Sequence, residues 1–155
     1  MNTWQELTGN PVLIAPLAGW LIAQVIKTIL HTVFNRKFSA ERLVGGGGMP
    51  SSHSATVCAL STAAFLRYGG GSFEFAVSTI FAVVTMYDAM GVRRETGRQG
   101  EVLNDIIEAF TSMGRDLGPE KALKELVGHT PLQVLAGAIL GIVTAVIICS
   151  MQIFS

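Results

Sequence analysis

The sequence is poor in charged residues, which make up 14% of its 155 residues. Soluble domains usually carry about 25%. Half of the chain is apolar and the formal net charge is zero. A balanced charge gives no general electrostatic reason to expect nucleic acid as a partner. The composition therefore favours a membrane protein of about one domain.

Cysteine is also scarce. Cys58 and Cys149 are the two cysteines of the chain, and both lie inside apolar runs. Their spacing argues against a disulfide framework or a zinc site, so we interpret them as small apolar side chains. We expect neither a metal nor a cofactor. The first ten residues lack a basic start followed by an apolar core, so we expect no cleaved signal peptide.

Four apolar segments are suited to span or enter a bilayer. The first is roughly 36 Å long as a helix, enough for a hydrocarbon core of about 30 Å. The second is rich in small residues and suits a helix packed among others. The fourth carries Gly137 and Gly141, a spacing typical of helix contact faces. The segments are residues 11–34, 54–68, 73–92 and 131–154.

A charged stretch, residues 93–130, separates the last two apolar segments. Within it, Val102, Ile106, Phe110 and Met113 recur at helical spacing and predict an amphipathic helix. A second short helix is expected from Pro119 to Gly128, and Thr130–Pro131 should start the last apolar helix.

We therefore predict an all-α integral membrane bundle of about four membrane-embedded helices with one or two cytoplasmic amphipathic helices. Residues 1–155 would form one membrane domain, with the charged insertion at about 93–130. Such a small bundle is suited to complete its packing as a homodimer.

The distribution of basic residues predicts the orientation. With the N-terminus outside and four crossings, 10 of the 11 lysines and arginines lie on or near the inner side, and Arg67 lies outside. The positive-inside rule favours this arrangement in the cell membrane. It places three polar motifs, GGMPSSHS, DAMGVRR and GHTP, on one cytoplasmic face.

The stretch GGGGMPSSHSA, residues 45–55, directly precedes the second apolar segment. Ser51 or Ser52 is suited to cap the following helix, whose first amides attract anions. Glycines allow close backbone approach, and His53 can exchange a proton near neutral pH. This chemistry suits a phosphate whose leaving oxygen needs a proton. The alternative is an ordinary capped loop with an exposed histidine.

Each ionisable residue near the same face has two interpretations. Asp88 lies at a depth where a charge is costly, before Arg93 and Arg94, whose guanidinium groups are suited to phosphate. Alternatively, Asp88 only pairs with one of these arginines. Lys27 either reaches a phosphate or extends to the membrane surface. His129 either belongs to a site or is a loop or capping histidine.

The motifs AQVIK, GGMPSSHSA, MYDAMGVRRETGRQGEVLN and GHTPLQVLAG together resemble one family. It is the divergent branch of the type-2 phosphatidic acid phosphatase superfamily, which is related to acid phosphatases and vanadium-dependent haloperoxidases. The resemblance runs from about Leu13 to Ile142. It implies a helical phosphatase with a lysine–arginine motif, a Pro-Ser-Gly-His motif, and a Ser-Arg motif leading to a histidine and an aspartate.

In the superfamily one histidine attacks phosphorus and the other protonates the leaving oxygen, while the aspartate orients the nucleophile. By this resemblance His53 is the leaving-group acid, and Ser51 binds phosphate with the helix amides. Ser52 stands where the motif has glycine and can add a donor. Lys27 takes the place of the first-motif lysine.

Arg93 or Arg94 matches the third-motif arginine, but the rest of that motif is altered. Six residues after either arginine the chain has glutamine or glycine instead of histidine, and four further on leucine or asparagine instead of aspartate. We therefore expect His129 to replace the nucleophile from a different loop, with Asp88 as its orienting group.

Three functional hypotheses follow. The first is a membrane phosphatase acting on a lipid phosphate or isoprenoid diphosphate at the cytoplasmic face, without metal. The second is a non-catalytic protein that binds, senses or helps to move anionic lipid headgroups. The third is a structural membrane subunit whose polar groups satisfy one another.

Overall fold

The computed structural model describes residues 2–36, 48–114 and 128–153, and for residues 35, 92–94 and 152–153 it describes the backbone alone. Every regular element in these ranges is an α-helix, as the apolar segments predicted. The helices are α1 (Thr3–Thr8), α2 (Pro11–Asn35), α3 (Ser52–Tyr68), α4 (Phe73–Met90), α5 (Val92–Ser112) and α6 (Pro131–Ile153). The predicted helix at 119–128 falls outside the described residues, apart from Gly128.

Side-chain caps fix where the long helices begin. The Asn10 side chain accepts a hydrogen bond from Val12 N at the start of α2, and Ser72 accepts one from Phe75 N at the start of α4. Ser51, rather than Ser52, caps α3. Such caps satisfy amides that the first turn of a helix leaves without internal partners.

The contacts define the directions of the helices. Ser61 Oγ lies 2.9 Å from Thr79 Oγ1, and the four-residue connection Gly69–Ser72 joins α3 and α4 as an antiparallel hairpin. Helix α2 also runs antiparallel to α3, whereas α6 runs parallel to it. The start of α3, the start of α6, and the ends of α2 and α4 therefore meet at one end of the bundle, called the site end below.

Helix α3 lies between α2, α4 and α6. It packs through small residues: Ala55, Ala59 and Ala63 are fully buried. A Cβ atom on Gly141 would collide with the Ala55 carbonyl oxygen, so only glycine allows this approach of α6. Gly137 and Gly141 thus form the contact face that their spacing predicted.

Large apolar side chains cover the outside of the bundle instead of its centre. Leu17, Ile80 and Ile139 are more than half exposed, whereas the core holds mostly alanines. An apolar exterior of this kind requires a lipid environment. Within the described part of the chain, three stretches are long and apolar enough to cross a membrane: Pro11–Phe34, Phe73–Ser112 and Pro131–Met151. Helix α3, with 17 residues, lies among them.

Helix α5 follows α4 after Gly91 and confirms the predicted amphipathic helix. Its apolar residues Val102, Ile106 and Phe110 are exposed in the described part of the chain. Met113, which the periodicity included, lies one residue past the end of the helix.

Candidate active site

Residues from four helix termini meet at the site end. His53 is the second residue of α3, and His129 lies two residues before α6. Their ring centroids are 5.9 Å apart, with one edge facing the other ring. His129 is buried and His53 is half-buried. Two histidines separated by 76 positions in the sequence are thus close enough for one small group to contact both.

The backbone anchors His129 between helices. Its amide donates a 3.0 Å hydrogen bond to the carbonyl of Ala89, in the last turn of α4. Asp88 is the preceding residue and is half-buried. The structure therefore brings the GHTP and DAMGVRR motifs together, as the predicted topology required. The function of Asp88 as an orienting group stays a prediction.

Helix α3 begins with three buried serines at the site end. Ser51 Oγ accepts hydrogen bonds from Ser54 N, at 3.3 Å, and from Ser54 Oγ, at 3.0 Å. Ala55 N donates to Ser51 O as the first bond of the helix. The amides of residues 52 and 53 precede that bond and point out of the helix start, where the helix dipole favours an anion.

Lys27 contributes a positive charge to the same region. Its side chain is 3% exposed, and Nζ donates to Ser52 Oγ at 3.3 Å. Lys27 therefore faces the bundle, and its contact with a phosphate stays a prediction. Gly48 has a φ of +94°, and a Cβ atom there would come within 3.1 Å of Lys27 Cγ. The last glycine of the run is therefore needed for close approach to the lysine stem.

Polar groups continue along α2 beside Lys27. Gln24 is 4% exposed and Thr28 is 8% exposed. Thr28 Oγ1 donates to the Gln24 carbonyl at 2.8 Å. Gln24 Oε1 has no hydrogen-bond partner among the described residues. Since a buried amide oxygen without a partner is costly, this stripe is better suited to a polar ligand than to lipid.

Arg93 and Arg94 open helix α5, next to the end of α4. Their side chains lie outside the described part of the chain, so the predicted phosphate contacts of these two arginines stay predictions. Their backbone positions lie five and six residues after Asp88, near the site end.

Sequence reasoning missed one residue of this cluster, Gln133. Its side-chain Oε1 lies 3.2 Å from His129 Nδ1, and its backbone carbonyl oxygen accepts a hydrogen bond from Ser51 N at 3.0 Å. It follows His129 by four positions, the spacing that the third motif gives between histidine and aspartate. A search for the orienting group four residues after His129, instead of four residues after the expected third-motif histidine position, would have found Gln133.

The arrangement contains the groups that phosphoryl transfer needs. Two imidazoles can exchange protons or act as a nucleophile, and a buried ammonium with a helix N-terminus can stabilise negative oxygens. The described residues that form this cluster are Lys27, Ser51, Ser52, His53, His129 and Gln133.

Comparison with known proteins identifies the family of the chain. The model of the divergent PAP2 family matches residues 8–144. The "uncharacterized membrane protein YuiD" of Bacillus subtilis (strain 168) is 42% identical over 152 residues, which cover 92% of this chain and 96% of that protein. No solved structure matches. The chain is a membrane protein that belongs to the divergent PAP2 family.

Proposed function

We propose that the protein is an integral membrane phosphatase that hydrolyses a lipid phosphate or an isoprenoid diphosphate through a phosphohistidine. The contact between His53 and His129 carries the proposal, because together they can supply a proton donor and a nucleophile. The motif spacing by itself supplies only His53, since the third motif lacks its histidine. The family membership supports phosphatase-related chemistry.

In the proposed reaction, His129 attacks the phosphorus. An N–P bond forms while the P–O bond to the leaving group breaks. His53, protonated at the start, gives its proton to the departing oxygen. A water then attacks the phosphohistidine as His53 takes a proton from it, and the N–P bond breaks to release inorganic phosphate. The two histidines thus exchange acid and base functions between the steps.

The remaining cluster residues would hold the transferred group. Lys27 Nζ, the Ser52 hydroxyl and the amides at the start of α3 are suited to the oxygens whose charge grows in the transition state. Ser51 would act through its cap, which fixes those amides. Arg93 and Arg94 are proposed to add guanidinium donors.

The substrate class follows from the surroundings of the site. The cluster lies among helices with an apolar exterior, so a substrate with a long hydrocarbon tail can stay in the bilayer while its phosphate reaches the histidines. The orientation predicted from the basic residues puts this reaction at the cytoplasmic face of the cell membrane.

The test is phosphate release by the purified full chain in lipid nanodiscs, with phosphatidic acid and farnesyl diphosphate as substrates and vanadate as inhibitor. His53→Ala should lower turnover by about 10²- to 10⁴-fold, the range for a lost general acid. His129→Ala should also abolish acid-labile labelling of the protein by a ³²P-substrate. His31→Ala is the comparison variant, since the proposed reaction gives His31 no function, and it should retain turnover.

Two outcomes would reject the proposed histidine-based phosphatase. One is turnover that persists in both His53→Ala and His129→Ala. The other is an inactive parent protein that binds phosphatidic acid vesicles saturably, with binding lost in Arg94→Ala. The second result would instead support a protein that binds anionic lipid headgroups.

A further inference from the structure

Gln133 is held by several contacts between the segments that carry the two histidines. Its carbonyl accepts from Ser51 N at 3.0 Å, next to the start of α3. Its side-chain Oε1 accepts from Thr130 N at 3.1 Å and lies 3.2 Å from His129 Nδ1. Gln133 N in turn donates to Thr130 Oγ1 at 3.4 Å. These reciprocal contacts form a cap at the start of α6.

The cap determines which way the amide of Gln133 faces. A backbone N–H is a donor, so the Gln133 atom that faces Thr130 N must be the carbonyl oxygen and not the NH₂ group. The opposite amide orientation would set two donors against each other. The same oxygen is the atom beside His129 Nδ1, and an oxygen of this kind can only accept.

His129 must therefore carry a hydrogen on Nδ1. In a neutral imidazole one nitrogen is the donor and the other has the lone pair. With Nδ1 as the donor, the lone pair is on Nε2. A histidine nucleophile needs its lone pair on the nitrogen that faces the substrate, and a partner on the other nitrogen fixes that tautomer.

We infer that Gln133, in place of Asp88, is the positioning residue of His129, which it holds in the Nδ1–H tautomer through an uncharged acceptor. The catalytic consequence of this inference rests on the proposed function, whereas the tautomer of His129 does not. An amide, unlike a carboxylate, places no negative charge beside the ring.

The first experiment measures the tautomer without any substrate. The chain has three histidines, so ¹⁵N-imidazole NMR of the full chain in nanodiscs gives three rings, which the single variants His31→Ala, His53→Ala and His129→Ala assign. The neutral His129 ring should carry its hydrogen on Nδ1. In Gln133→Leu this preference should be lost. An Nε2–H ring in the parent protein, or an unchanged tautomer in Gln133→Leu, overturns the inference.

The Thr130→Val variant separates positioning from capping. It removes the hydroxyl that accepts from Gln133 N but leaves Thr130 N and the contact of Gln133 with His129. The tautomer should stay as in the parent protein, while thermal stability falls about as much as in Gln133→Leu. Loss of the tautomer in Thr130→Val would mean that the cap, and not the side-chain contact of Gln133, fixes the ring.

The second experiment is kinetic and compares two replacements. Gln133→Leu should lower kcat by about 10²- to 10⁴-fold with little change in KM, as expected when a catalytic histidine loses its tautomer. Gln133→Glu keeps an acceptor and should restore most of kcat. Its carboxylate should shift the acidic limb of the pH–rate profile to higher pH, because a nearby negative charge favours the imidazolium.

If kcat falls equally in Gln133→Leu and Gln133→Glu and the pH–rate profile does not shift, Gln133 has only a structural function. That result would overturn the inference. An inactive parent protein would reject the phosphatase but not the tautomer, which the NMR measurement decides separately. Failure of the inference and failure of the proposed function are therefore distinguishable.

Discussion

Lys27 is deeply buried and donates to Ser52 Oγ, and this position allows its effect on function to be separated from its effect on stability. Burying a charge is costly, and replacing it by an apolar side chain of similar volume is often neutral or stabilising. Lys27→Met should therefore leave the free energy of unfolding unchanged or raise it by about 1 kcal/mol. Turnover should nevertheless fall by about 10²- to 10³-fold, because a donor to the developing charge is lost.

The measurement for Lys27 is thermal unfolding in detergent, followed by circular dichroism, together with phosphate release. Lys27→Arg is the matched control, since it keeps the charge, and it should lose less activity than Lys27→Met. Retained turnover with a loss of stability above about 2 kcal/mol in Lys27→Met would show that the lysine is structural instead.

At the level of residues, the sequence predicted His53, His129 and Lys27 from chemistry and helix position. Gln133 was missed because the spacing was counted along the segment after the arginines, whereas His129, the proposed nucleophile, and Gln133 lie in another segment. The inward direction of Lys27 was left open, because a lysine in this apolar helix can either contact a phosphate or extend to the membrane surface. Only the packing of α2 against α3 distinguishes them.

The interface of α3 with α6 is held by glycines, and this makes a second prediction. A Cβ atom on Gly137 would collide with the Ser51 carbonyl oxygen and would lie 3.0 Å from Ser54 Cβ. Gly137→Ala should push α6 away from the start of α3, at a cost of about 1–3 kcal/mol in unfolding free energy. Turnover should fall as well, because the same shift separates His129 from His53.

Gly100→Ala is the control for that interface, because Gly100 lies within α5 and a Cβ there would meet nothing within 4 Å. This variant should be neutral or stabilising by about 0.5–1 kcal/mol, as alanine favours the helix. The comparison is made by thermal unfolding of both variants in the same detergent. Equal stability of the two variants would contradict the assigned packing.

At the level of elements, apolar length and caps were sufficient to predict α2, α3, α4 and α6 within a few residues. The small residues of α3 also predicted its position among other helices. Helix α1 was not predicted, because six residues are too few to show a hydrophobic period. The four predicted crossings already made α3 and α6 parallel, but their direct packing could not be predicted, because local signals leave the pairing of helices distant in the sequence undetermined.

The whole molecule has two chemically different ends, and the last prediction concerns which of them faces the cytoplasm. Among the described residues, Lys27 and Arg36 lie towards the site end of α2 and Arg93 and Arg94 at the start of α5, whereas Arg67 lies at the opposite end of α3. The positive-inside rule therefore puts the site end inside and the turn Gly69–Ser72 outside.

Gly71 and Ser112 are exposed, and a Cβ at Gly71 would meet nothing within 4 Å, so both tolerate cysteine. In intact cells a membrane-impermeant maleimide should label Gly71→Cys directly, but Ser112→Cys only after permeabilisation. The parent protein is the background control, because Cys58 and Cys149 are both buried. The reverse labelling pattern would move the proposed reaction to the outer face, while leaving the histidine chemistry itself to be decided by the variants of His53 and His129.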